Sequence, residues 1–167
     1  MKQLLVLDKD VEILIPNVLP MANELAPATA ENINANFKLI ETIRKYLINR
    51  KHGAIALPQV GVNIKAVVAV KEWKSNVTAT VLLNPTYTLD PKATLVYCSE
   101  NCMSLGKLPM VVPRSTKCTI EYGSFATGPV NRVILLGKEA FSMQHVIDHA
   151  NGTYWGGNAT HEKALVA

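Results

Sequence analysis

The segment Gly137–Gly152, GKEAFSMQHVIDHANG, constrains the fold more than any other part of this 167-residue chain. Apolar Ala140, Phe141, Met143, Ile147 and Ala150 recur at spacings of three and four, the period of a buried amphipathic helix. The β-like run Arg132–Leu136 leads into it, and Gly152 supplies a stop. His145 and His149 stand four residues apart, so both imidazoles leave one helix face, one turn apart. Such a pair can grip one metal ion through two nitrogens. It can equally be two satisfied core histidines, and the remainder of the chain must choose.

Length and composition exclude several classes. The chain is read as a single domain, residues 1–167, long enough for a proper core. With 49% hydrophobic and 18% charged residues it is globular. The net charge of +4 comes from scattered Lys and Arg without aromatic interleaving, so no specific nucleic-acid partner is expected. No apolar window reaches the ~18 residues of a membrane span, so no membrane partner is expected either. The amino end MKQLLVLDKDVEILIP is a poor signal peptide, and three cysteines do not build a disulfide framework. These features place the chain in a reducing cytoplasm.

Along the chain, Val11–Ile15 reads as a strand, and Pro16, Pro20 and Pro27 break the next stretch into irregular structure. Residues Glu31–Arg50 carry Ile33, Phe37, Ile40, Ile43 and Leu47 at helical spacing, with Thr29 as N-cap. Ile64–Val70 is a strand, and Val77–Leu83 is a second, closed by Asn84-Pro85. Thr94–Ser104 is a third, and the β pattern continues through Val111, Val112 and Thr116–Tyr122 across Pro113. Strands outnumber helices and arrive in runs, which predicts an α+β fold with antiparallel β-sheets packed around the histidine helix.

Two histidines hold a metal weakly, so a third ligand is needed; His52, His161, the carboxylates and the cysteines compete. Cys102, at the end of the strand Thr94–Ser104, is attractive because thiolate plus two imidazoles suits a late divalent transition metal. Three protein ligands also leave a coordination position open. Period-two alternation puts Cys98, Glu100 and Cys102 on one face. A closed structural site of Cys98, Cys102, His145 and His149 is therefore a rival. Cys118, in an alternating strand, reads as a small core residue. Gln59, between apolar neighbours, needs hydrogen-bond partners if buried.

Three ordered segments resemble the motifs of the peptide deformylases: His52-Gly-Ala-Ile-Ala-Leu-Pro-Gln59, Glu100-Asn-Cys-Met-Ser104 and Gln144-His-Val-Ile-Asp-His149. Leu83-Asn-Pro85, Val112-Pro-Arg114 and Asn151-Gly152 fit the family's usual context, and the likeness covers residues 25–155 or so. The resemblance implies one divalent metal held by Cys102, His145 and His149, with Fe2+ the expected ion in the cell and Zn2+, Ni2+ or Co2+ able to replace it. It implies an oxyanion pocket made by the Gln59 amide and the Met103 N–H. It places Ile55, Cys98, Glu100, Asn101, Phe141 and Ser142 around the substrate, and Gln144 and Asp148 behind the metal ligands. The implied substrate is the N-formyl group on the initiator methionine of peptides or nascent chains.

The sequence departs from the family pattern most sharply at Val146. The family has glutamate there, which takes a proton from the attacking water and passes it to the leaving amine; valine can do neither. On a helical wheel Val146 lies about 80° to one side of the histidines and Asp148 about 80° to the other. Glu139 lies on the Val146 flank but about 10 Å away along the axis. His52, Ala54, Leu57, Asn101 and Lys138 also replace residues the family usually has glycine, alanine or an apolar side chain for. The chain ends about a dozen residues after Trp155, so the long C-terminal helix some bacterial members use at the ribosome is not expected. Two expectations follow, a deformylase with reduced activity and an inactive relative that binds metal and formyl-peptide ends. The closed Cys2His2 site stands as a third.

Overall fold

The computed structural model describes residues 4–8, 11–14, 19–51, 53–102, 104 and 109–153. Strands β1 (Leu4–Asp8) and β2 (Val11–Leu14) pair as an antiparallel hairpin. After a 3-10 turn at Ala22–Glu24 and the short strand β3 (Ala26–Pro27), two helices follow, α1 (Ala30–Ala35) and α2 (Phe37–Arg50). Thr29 caps α1 reciprocally with Asn32, the hydroxyl accepting from Asn32 N and the Asn32 side chain accepting from Thr29 N. The single helix expected over Glu31–Arg50 is thus two. Asn36 interrupts it, its side chain donating to the Asn32 carbonyl at 2.8 Å and competing with the backbone ladder.

The main sheet is antiparallel along β10 (Gly128–Leu136), β9 (Lys117–Ser124), β6 (Asn76–Leu89) and β5 (Ile64–Trp73). The other edge of β5 takes β4 (Ala54–Ala56), antiparallel, and β3, parallel over two residues. Contrary to expectation, β6 does not close at Asn84-Pro85. It runs on through a bulge between Leu83 and Thr86, where the ladder is already interrupted and proline's missing N–H costs nothing. Asn84 takes a φ of +48° there, and its side chain clamps both backbone groups of Ala28.

Alternation along β5 decides which helix covers which face. Ala66 and Val68 point into a cluster with Ile33, Ile40, Ile43 and Leu47 of α1 and α2. Val67 points the other way, into a cluster with Ala140, Val146, Ile147 and Ala150 of α3 (Gly137–Ala150). The sheet is therefore buried on both faces at β5, with α3 laid across the second, while the edge strand β10 is largely exposed. A separate hairpin, β7 (Leu95–Glu100) and β8 (Met110–Ser115), packs against α3 and carries Pro113 within its second strand. This is the α+β arrangement around a central histidine helix that the patterns predict. Among the described residues no helix is long and apolar enough to cross a membrane.

Candidate metal centre

The site is assembled where α3 meets the β7–β8 hairpin. Helix α3 is fixed on three sides. Buried Gln144 accepts from Ser115 N at 3.0 Å and donates to Ser115 O at 2.8 Å, locking the helix to β8. Asp148 accepts from the Tyr87 hydroxyl of β6 at 2.7 Å, and Asn151 donates to Pro85 O at 2.8 Å. With the axis held this way, His145 and His149 face the hairpin. Strand β7 ends at Glu100, so Cys102 lies in the coil just past it rather than on the strand. That coil brings the thiol to His149.

The donor atoms converge. Cys102 Sγ lies 3.2 Å from His149 Nε2, which lies 3.1 Å from His145 Nε2, and all three atoms fall within 4.8 Å of one another. Around a tetrahedral ion with bonds of ~2.0–2.3 Å, neighbouring nitrogen and sulfur ligands stand about 3.4–3.6 Å apart. The two separations that His149 Nε2 makes, 3.2 and 3.1 Å, lie a few tenths of an ångström below these values.

Charge placement supports the same fit. Arg114, 2% exposed, donates to both oxygens of Glu100 at 2.8 and 3.0 Å and to Asp148 at 2.6 Å. Burial pushes the Glu100 pKa up, but His145 and Arg114 outweigh it and hold the carboxyl below its usual range. An ionised Glu100 can only accept, so His145 Nδ1, 3.0 Å away, carries the proton and Nε2 keeps its lone pair. Burial lowers the His145 pKa, yet Cys102 and Glu100 outweigh it and raise it overall. Burial, reinforced by His145, pushes His149 down to about 3. His149 is therefore neutral. Two imidazole nitrogens and a sulfur meeting edge to edge need a cation, either a proton or a metal, between them.

The remaining candidates take varied places. Gln59, 4% exposed, accepts from Ala56 N at 3.0 Å and donates to Ser104 Oγ at 2.9 Å, which ties the first motif to the residue two beyond Cys102. Ile55 is fully buried in the cluster under α2. Cys98 is half-buried and outside the converging group, so the described residues form a three-membered set rather than the closed four-membered one. Asn101 and Ser142 are exposed and Phe141 is half-buried. Gln144 and Asp148 hold β8, β6 and Arg114 instead of touching the donor nitrogens. Glu100, assigned to the substrate pocket from sequence, instead backs His145. Val146 is 4% exposed and packs among Ala56, Val67, Leu82, Cys118 and Ile120. His52, Met103 and His161 lie outside the described residues. Arg114, Tyr87 and Ser104 received no role from sequence; an arginine in an apolar alternating strand was the one available signal, since a buried charge requires partners.

A thiol and two helix-borne imidazoles, braced by a buried carboxylate–arginine network on an α+β scaffold, define a metal-binding domain of the Cys-His-His class. The family model for polypeptide deformylase matches residues 17–164. The chain belongs to that family. Peptide deformylase 2 of Bacillus anthracis is 28% identical over 153 residues, covering 84% of this chain and 82% of the relative. Peptide deformylase 2 of Bacillus cereus is 28% identical over 165 residues, covering 91% and 89%. Among solved structures, the peptide deformylase of Thermus thermophilus superposes with a TM-score of 0.67 at 25% identity, covering 94% of this chain and 90% of that one.

Proposed function

We propose that the chain, as one domain spanning residues 1–167, is a cytoplasmic metal-dependent hydrolase that removes the formyl group from N-formylmethionyl peptides and nascent chains. We propose further that it is slow. The observation that carries the reading is the convergence of Cys102, His145 and His149 at one point. These three residues would hold the ion, Fe2+ in the cell and Zn2+, Ni2+ or Co2+ in a purified sample. A bound divalent cation supplies Lewis acidity toward water and the formyl oxygen.

The other roles fall to the chain's own groups. Glu100 keeps the proton on His145 Nδ1 and so aims Nε2 at the ion. Gln59 uses one N–H on Ser104, which leaves its second to donate to the formyl oxygen beside the Met103 N–H. Cys98, Asn101, Phe141 and Ser142 surround the methionine side chain in this reading, while Ile55, buried under α2 on the other face of the sheet, is left out of it. No side-chain carboxylate stands at position 146 to move protons, and such a group is ordinarily worth ~10²–10⁴ in rate. Hydrolysis then depends on solvent for proton transfer and rises with pH.

The apolar burial of Val146 favours a second reading, a protein that binds metal and formylated ends without turning them over. Formate release from formyl-Met-Ala-Ser separates the two; an Acinetobacter baumannii deformylase structure was solved with Met-Ala-Ser bound. Slow release by the natural chain, accelerated in Val146→Glu, supports the hydrolase. No release by the natural chain, with the peptide still bound, supports the binding protein.

A further inference from the structure

We propose that Lys138 makes this chain prefer formylated peptides that carry a carboxylate two or three residues beyond the formyl group; the inference rests on the deformylase reading above. Lys138 precedes His145 by seven residues in α3. At ~100° per residue its side chain leaves the helix within about 20° of both His145 and His149. Phe141 and Ser142 flank the same stripe, one on each side. Exposure rises along it: His149 is fully buried, the His145 side chain is 17% exposed, Phe141 is half-buried, and Ser142 and Lys138 are exposed. The stripe therefore runs from the metal ligands out to solvent, with an apolar ring part of the way and an ammonium at its mouth.

Lys138 lies about 10 Å from His145 along the axis. Extended peptide advances ~3.3–3.6 Å per residue, so a carboxylate on the second or third residue reaches that distance. Among the described residues Lys138 has no ion-pair partner. A lysine in the first turn is unfavourable for the helix itself, so its position is not explained by the stability of α3.

The test is equilibrium binding to the Zn2+-loaded protein at low salt, read by calorimetry with four probes. These are formyl-Met-Ala-Ser as free acid, the same peptide as C-terminal amide, formyl-Met-Ala-Glu amide, and unformylated Met-Ala-Ser. The free acid, the glutamyl peptide or both should bind about three- to fivefold more tightly than the plain amide, the scale of an exposed ion pair. That advantage should vanish in Lys138→Met, persist in Lys138→Arg and shrink at high salt. An advantage confined to the free acid identifies short peptides as the source of the carboxylate, and one confined to the glutamyl peptide identifies acidic residues near the start of longer chains. Thermal melting of Lys138→Met should be unchanged or slightly raised, which separates lost binding from lost folding. If the three formylated probes bind alike, or the advantage survives in Lys138→Met, the proposal for Lys138 is overturned while the deformylase reading stands. If formylated and unformylated peptides bind alike, both are overturned.

Discussion

Glu100 Oε2 lies 3.0 Å from His145 Nδ1, and the same carboxylate is held from behind by two nitrogens of Arg114. The glutamate thus sits between a cation and an imidazole, on β7 and held by Arg114 of β8. What it fixes in turn is a tautomer. With one proton held on Nδ1, Nε2 is the nitrogen His145 turns to the meeting point with Cys102 and His149, where it takes up a proton or a metal ion. Arg114 extends the same bracing to Asp148 and, through it, to Tyr87 on the main sheet.

Glu100→Gln should lower metal affinity about 10- to 100-fold, the usual cost of losing the group behind a ligating histidine. Competition for Zn2+ against a chromophoric chelator measures it. An unchanged affinity would mean that packing alone orients His145.

Arg114→Met leaves the Glu100 and Asp148 carboxylates buried without their shared counter-charge. A loss of about 3–5 kcal/mol in urea unfolding is expected, as for a buried ion pair stripped of one partner. Arg114→Lys should restore only part of it, because an ammonium cannot grip both oxygens of Glu100 while reaching Asp148.

Cys98→Ala and Cys102→Ala test the number of ligands. Metal content by elemental analysis should stay at one ion per chain in the first and fall to nearly nothing in the second. Loss in both would restore the closed four-ligand site.

Acid should weaken the metal-free protein. The folded His149 pKa, about 3, lies below the ordinary value of 6.5, so its contribution is complete above about pH 6.5 and is lost as pH falls toward 3. The lowered Glu100 pKa acts in the same direction, through the carboxylate range. His145, whose pKa is raised, acts oppositely: its contribution is present below the unfolded value and fades as pH climbs through the folded one. Urea midpoints should therefore drop on the acid side, and metal should be released over the same range, because both imidazoles must be unprotonated to bind it. A midpoint that does not change from pH 7 to 5 contradicts this.

Val146→Ala opens space in the cluster beneath α3 and should cost about 1–3 kcal/mol in stability while leaving metal affinity unchanged. Val146→Glu should be less stable still, since a carboxylate enters an apolar surrounding. Formate release should nonetheless rise by ~10²–10⁴ relative to the natural chain if the glutamate reaches the attacking water.

The local pattern of the sequence determined α3, its two histidines on one face, the main strands and the Thr29 cap. Each depends on residues close together in the chain, where period and capping chemistry act directly. The Cys-His-His set was legible because motif order supplied the long-range pairing that spacing cannot. Tertiary structure alone decided the rest. The bulge that carries β6 past Asn84-Pro85 depends on Ala28, 56 residues earlier. The role of Glu100 was misplaced because a carboxylate beside a metal motif can face a substrate or a histidine equally well. Only the arrival of Arg114 from the neighbouring strand, removing the cost of burying that charge, turned it toward His145.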